Sequence, residues 1–298
     1  MKNEIKKLTR EETPPKLLEI PEPPKELYLE GEIPNDDFGY KYLTVVGSRK
    51  FSSYGKEACE KLIHGLAGEK IIIVSGLAIG IDTIAHESAL KAKLKTIAIP
   101  GSGLSRKVLH PHSNGQLADR IVYAGGALLS ELPPDMPAGT HTFPRRNRIM
   151  AGIADAILVI EAREKSGTII TARLATEYNR ELLVVPGSIF SPVSVGTNRL
   201  IKQGATPINK SEDVLDALNI TSSGNDYGKV GQNKLDLIYS ELSENEKIII
   251  EILSIEAMPR DELSRATKIK INELNTLITL MEIKGLIKEL GGKIQIEM

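Results

Sequence analysis

The sequence contains no tryptophan, and Phe, Tyr and Trp together make up only 4% of it. The core is therefore expected to be aliphatic. A single cysteine, Cys59, excludes a disulfide framework and a cysteine-based zinc site. It reads as a small core residue on a helix. No run of about 18 apolar residues occurs, so no membrane-spanning helix is expected. The first residues, Met-Lys-Asn-Glu-Ile-Lys-Lys, lack the apolar core of a signal peptide, and a cytoplasmic protein is expected. There is also little excess of one charge. The formal net charge is −1, which excludes a globally basic nucleic-acid binder and leaves room for a local basic pocket.

Common enzyme signatures are missing as well. There is no G-x-x-x-x-G-K-[ST] phosphate loop. Gly101-Ser102-Gly103 continues to Arg106, where a dinucleotide fingerprint needs Gly or Ala. The five histidines show no zinc-ligand spacing, and Ser75-Gly76 does not sit in a G-x-S-x-G elbow. Neither a catalytic residue, a metal nor a cofactor is expected.

What is present is a repeated strand–turn–helix pattern over residues 41–220. Its organising stretch is Ile71-Ile72-Ile73-Val74, then Ser75-Gly76-Leu77-Ala78-Ile79-Gly80-Ile81-Asp82, then the start of a helix. Four β-branched residues in a row suggest a strand buried on both faces. The same grammar recurs at Leu43–Val46 before Gly47-Ser48-Arg49 and at Thr96–Ile99 before Pro100-Gly101. It recurs again at Ala156–Ile160 before Glu161, and at Leu182–Val185 before Pro186-Gly187-Ser188. The alternation predicts an α/β domain with a parallel sheet of the doubly wound kind, its turns along one ligand-binding edge. Asp82 reads as an N-cap or loop ligand.

Residues 1–40, with Pro14-Pro15, Pro21, Pro23-Pro24 and Pro34, read as an extended arm with little structure of its own. Residues 221–240, rich in Gly, Ser and Asn, read as a flexible linker. Residues 241–298 change character. Ser243 with Glu246 makes a capping box opening a helix over 244–255. Two further helices follow, then a hairpin turning on Gly291-Gly292. Three helices and a hairpin predict a small winged-helix domain.

The strongest chemical signal is Phe143-Pro144-Arg145-Arg146-Asn147-Arg148, with three arginines in four positions and no carboxylate expected nearby. Arginine pairs bidentately with phosphate, and Phe143 offers a stacking surface for a base. Arg49 and Lys165, from other strand ends, extend the expected positive pocket.

With these motifs on the page, the sequence resembles the DprA/Smf family of DNA-processing proteins. The matching residues are Val46–Arg49, Ser75–Asp82, Phe143–Arg148, Glu161 with Ser166–Ala172, and Val185–Ser188, in the family's order. The resemblance implies an extended Rossmann fold that binds single-stranded DNA, forms a homodimer, protects incoming DNA and promotes RecA loading in natural transformation and recombination. Carried over by residue, the implied DNA site is Arg49, Phe143, Arg145, Arg146, Asn147 and Arg148, with Lys165 beside them and help from Gly76, Ser166 and Gly167. Two features depart from the family pattern. Residues 1–40 are too short for the helical SAM-like domain many members carry, and His110-Pro111 stands where Tyr-Pro is common. The alternative is a nucleotide-processing enzyme of the LONELY GUY phosphoribohydrolase type. Here Glu161-Ala-Arg-Glu-Lys-Ser-Gly-Thr168 lacks that type's double glycine and downstream Glu.

Overall fold

A computed structural model of the chain describes residues 4–34, 39–220 and 242–296. It divides into two compact units, Met1–Asn225 and Asp226–Met298. The stretch read as a linker, 221–240, lies outside the described residues.

The larger unit is organised on one nine-stranded sheet. Its strands are β1 (Lys6–Lys7), β2 (Tyr28–Gly31), β3 (Lys41–Val46), β4 (Ile71–Ser75), β5 (Lys95–Ala98), β6 (Ala127–Ser130), β7 (Ala156–Val159), β8 (Glu181–Val184) and β9 (Thr206–Pro207). Across the sheet they run β1-β2-β6-β5-β4-β3-β7-β8-β9. From β6 to β9 every neighbouring pair is parallel. The chain starts at β3, winds outward through β4 and β5 to β6, and then returns to β7 on the other side of β3. The strand order therefore reverses between β3 and β7. In open α/β sheets the crevice at the carboxyl ends of such a pair is where ligands bind.

Among the described residues eight α-helices cover the sheet: α1 (Pro15–Leu18), α2 (Ser53–His64), α3 (Ile81–Lys91), α4 (Gly115–Tyr123), α5 (Thr142–Ile153), α6 (Gly167–Glu177), α7 (Val195–Lys202) and α8 (Ser211–Ala217). Period-two alternation explains why both faces need cover. Leu43, Val45, Ile71 and Ile73 pack on one face with Leu62 and Ile63 of α2, Ile84 of α3 and Val214 of α8. Tyr42, Val46, Ile72 and Val74 pack on the other with Ile149 and Met150 of α5, Ala172 of α6 and Leu200 of α7. Cys59 is buried in the first of these layers, as its helical position suggested.

The N-terminal residues depart from expectation. Expected as an extended arm with little structure of its own, they add β1 and β2 to the sheet edge, with β2 antiparallel to β6. Leu8, Leu17, Ile20, Leu27 and Leu29 are buried. Arg106 fixes the strand from the side with a two-pronged contact to Glu30 at 2.8 and 3.0 Å. Proline density made the segment look extended. Its burial depends on a partner strand about a hundred residues away, which no local pattern reveals.

His86 of α3 is fully buried, with Nδ1 2.7 Å from the Thr96 hydroxyl. Burial lowers its pKa to about 3, and the nearby Arg146 charge adds to the effect. An unfolded chain protonates this ring near pH 6.5 while the folded one does not. Stability is therefore lost as pH falls from about 6.5 toward 3. Between pH 7 and pH 4 the loss from this group is expected to be about 3 kcal/mol. Urea titrations of wild type and His86→Gln check it. Equal pH slopes for the two would remove the assignment.

The smaller unit is a winged helix, with α9 (Glu244–Ile255), α10 (Arg260–Thr267), α11 (Ile271–Ile283) and the hairpin β10 (Ile287–Leu290) and β11 (Lys293–Ile296). The capping box forms as expected: the Ser243 hydroxyl accepts from the Glu246 N–H, and the Glu246 carboxylate accepts from the Ser243 N–H. Leu253, Leu263, Leu274, Ile278 and Ile287 fill its core.

Candidate nucleic-acid interface

The reversal point between β3 and β7 holds a cleft of about 560 Å³. One wall is Gly47–Lys50, leaving β3. A second is the first turns of α5, with Phe143, Arg146 and Asn147. A third is Arg163 with Ser166–Thr168, between β7 and α6. Ala78 and Asp82 form the floor.

The floor is made by the turn after β4. The Asp82 carboxylate accepts N–H bonds from Gly76 (3.1 Å) and Ala78 (3.3 Å), folding the turn back on the start of α3. Gly80 has φ +92°, and a Cβ there would lie 2.5 Å from the Ser48 carbonyl. Only glycine allows that approach. Ile81 N–H then donates to the same carbonyl at 3.2 Å, tying this turn to the exit of β3. Asn114 donates to the Leu77 carbonyl at 2.8 Å from the other side. Asp82 is thus a loop ligand, one of its two expected roles.

Arg146 is buried beneath the cleft and donates to the carbonyls of Gly76 and Ile99. Gly76 is the residue that admits it, since a Cβ there would sit 1.9 Å from Arg146 Nη1 and 2.5 Å from Asp82 Oδ2. Burial pushes the Asp82 carboxyl upward in pKa, against the pull of Arg146 and the two amides. Burial likewise lowers Arg146, and Asp82 works to restore it. The attraction between the two opposes the burial of each.

Phe143 stands at the mouth. Its ring lies against Gly101, where a Cβ would be 2.6 Å from Cδ1. His110 meets it edge-on at 5.8 Å between centroids. The Arg49 guanidinium lies over the ring, 5.4 Å from its centroid. Arg49, Lys50 and Arg163 are all exposed around this aromatic surface. The N-terminus of α6, Ser166 and Gly167, completes the rim, with no acidic residue in its first turn. The positive end of the helix dipole is left for an anion.

The expected residues therefore separate. Arg49, Phe143, Arg146, Asn147, Ser166 and Gly167 line the cleft. Gly76 lies behind it, packed against Arg146. Lys165 is exposed next to the rim without lining it. Arg145 is exposed and 3.5 Å from Glu131. Arg148 is buried, pairs with Glu131 and donates to the Glu22 carbonyl. The expectation of an arginine cluster free of carboxylates is thus corrected. Glu131 engages two of the three and Asp82 faces the third. Lys50 and Arg163 are cations of the cleft that the sequence reading passed over. Their signal was position alone, within a few residues of a strand end.

Glu161, one of the motif residues, is buried and does not line the cleft. It accepts from the N–H (3.0 Å) and hydroxyl of Ser52, the N-cap of α2. Gly55 packs so closely that a Cβ would lie 2.3 Å from the carboxyl carbon. Its carboxylate holds a helix N-terminus and is not among the residues that line the cleft.

Comparison with known proteins bears on this arrangement. The family model described as DNA recombination-mediator protein A matches residues 5–219, and a DprA winged helix domain model matches 238–293. Protein Smf of Escherichia coli is 35% identical over 285 residues, covering 94% of this chain and 73% of the relative. DNA processing protein DprA of Bacillus subtilis is 39% identical over 202 residues, covering 68% and 67%. Among solved structures, DNA processing protein A from Streptococcus pneumoniae superposes with a TM-score of 0.65 at 38% identity, over 72% of this chain and 74% of that one. The Helicobacter pylori protein, described for its single-stranded DNA binding mode, gives 0.63 at 31%, over 73% and 98%.

Proposed function

Since the chain belongs to the DprA/Smf family of DNA-processing proteins, we propose that it binds single-stranded DNA in the cleft at the ends of β3 and β7. It acts in the cytoplasm as a homodimer that protects incoming DNA and promotes RecA loading in transformation and recombination. The observation that carries the reading is the stacking pair of Arg49 and Phe143 at the mouth of a cleft ringed by Lys50, Arg163 and a helix N-terminus. Phosphates bind the three exposed cations and the α6 amides. A base takes the Phe143 face as the Arg49 guanidinium swings onto a phosphate. The single-stranded DNA binding of the Helicobacter pylori relative supports this assignment. Arg145 and Lys165 contribute field at the rim. Gly76, Arg146 and Arg148 act by holding the walls. Among the described residues, no helix is long and apolar enough to cross a membrane.

Stacking requires an unpaired base, so duplex DNA is expected to bind more weakly than a single strand. Phe143→Ala is expected to weaken single-strand binding by about 1–3 kcal/mol and to leave the salt dependence unchanged, because stacking is not ionic. Gel shifts with both DNA forms over a salt series measure this. Duplex bound as tightly as single strand, with a silent Phe143 variant, would end the proposal. A strict monomer in sedimentation would remove the homodimer, and unaccelerated recombinase assembly on the bound DNA would remove the loading role.

A further inference from the structure

A second cleft, of about 480 Å³, opens on the same edge of the sheet at the end of β8. It is lined by Ser52 and Tyr54 at the start of α2 and by Pro186, Gly187, Ser188 and Ser191 of the loop after β8. Three observations set it apart from an ordinary surface dent. First, its walls follow directly along the chain from those of the first cleft. Ser48–Lys50 wall the first cleft, and Ser52 and Tyr54, the next residues of the same segment, wall the second. The loop after β8 is pinned to the exit of β7 by Ala162 N–H to the Val193 carbonyl and Gly196 N–H to the Ala162 carbonyl, both 2.8 Å. The next residue, Arg163, is an exposed cation of the first cleft.

Second, aromatic surface is spent here in a chain that has little of it. Tyr54 is half exposed, and its ring is held by a 2.7 Å hydrogen bond from its hydroxyl to the Pro186 carbonyl. Phe190 is 90% exposed at the tip of the loop and Ile189 beside it 81%. Large apolar side chains this exposed, on a loop at a ligand-binding edge, point to a partner. Third, the wall chemistry suits a nucleotide and repels no phosphate. The walls carry serine hydroxyls, none of the described lining residues is a carboxylate, and the Glu161 charge is buried under α2.

We propose that this is a second base-stacking subsite for the same single strand. The strand leaves the first cleft over Arg163 and lays a further base on Tyr54 and Phe190. The proposal rests on single-stranded DNA as the ligand of the first cleft. Oligothymidylates of about 2 and about 20 nucleotides separate the two, because a dinucleotide has too few bases to fill both subsites. The double variant Tyr54→Ser with Phe190→Ser is expected to weaken the longer oligonucleotide about tenfold or more, with an unchanged salt slope, and to leave the shorter within twofold. Phe190→Ser alone, at a fully solvated position, should give part of the same length-dependent loss without affecting the fold. Quenching of a 2-aminopurine probe moved along the longer strand is expected at two separated positions, one lost with Phe143→Ala and the other with Phe190→Ser. Unchanged affinity for the longer strand overturns the subsite. So does equal loss at both lengths accompanied by a change in sedimentation, which would assign these aromatics to a contact between copies. Wild-type protein that binds neither oligonucleotide overturns the underlying reading of the first cleft, and the subsite with it.

Discussion

Arg146→Ala is expected to lower the stability of the larger unit by about 3–5 kcal/mol. The residue looks like a phosphate ligand in the sequence and behaves as a buried strut in the fold. Its guanidinium ties the ends of β4 and β5 together through the carbonyls of Gly76 and Ile99, both inside the protein. Truncation leaves these acceptors without their donor, and it strands the Asp82 carboxylate, whose burial already raises its pKa. An unpaired buried charge is the costly outcome, more so than the loss of the pair as such. Arg146→Met combined with Asp82→Asn is therefore expected to recover part of the loss of Arg146→Met alone. Urea midpoints of the four species make the cycle. Strictly additive losses would show that the two charges do not support each other. Because the strut lies beneath the cleft, DNA binding by the single variant should fall through a distorted floor. The sign of that mechanism is that lower temperature restores affinity as it restores fold.

The same residue shows where sequence reading succeeds and where it stops. Strands β3, β4, β5, β7 and β8 announce themselves as aliphatic runs ending in small residues, and the capping box places α9 at its observed start. These are local signals, set within one element. The arginine motif is different. Three arginines in four positions read as one anion site. In the structure α5 begins at Thr142, so all three ride on the helix itself. At 100° per residue, Arg145 and Arg148 share one face while Arg146 points to another. Their carboxylate partners, Glu131 and Asp82, lie in the segment after β6 and in the first turn of α3. No pattern in the motif could name them. Strand β2 was missed for the same reason, since its pairing with β6 spans the whole first half of the domain. The ligand-binding edge of the sheet and the aromatic of the arginine motif were legible. Which cations face the cleft was decided by tertiary contacts.

That division makes Arg148 the sharpest test of the site. Arg148→Ala is expected to cost about 3 kcal/mol of stability or more, because it leaves the buried Glu131 carboxylate with only the exposed Arg145 nearby. It also releases the Glu22 carbonyl, and with it the packing of Leu17 and Ile20 against Gly152 of α5. Yet its effect on single-strand binding should show no change in salt slope, since this side chain neutralises no phosphate. Arg49→Ala and Arg163→Ala should behave in the opposite way. Both residues are exposed and lie on the cleft, so stability should stay within about 0.5 kcal/mol. Each should flatten the dependence of log affinity on log salt by about 0.7 per lost phosphate contact. Thermal melts and a salt series on the three variants separate the roles. A slope flattened by Arg148→Ala, with the Arg49 and Arg163 slopes intact, would return the DNA to the face of α5 that packs against Glu131. That face has a buried carboxylate at its centre, and a phosphate approaching it would meet like charge before it met the arginine.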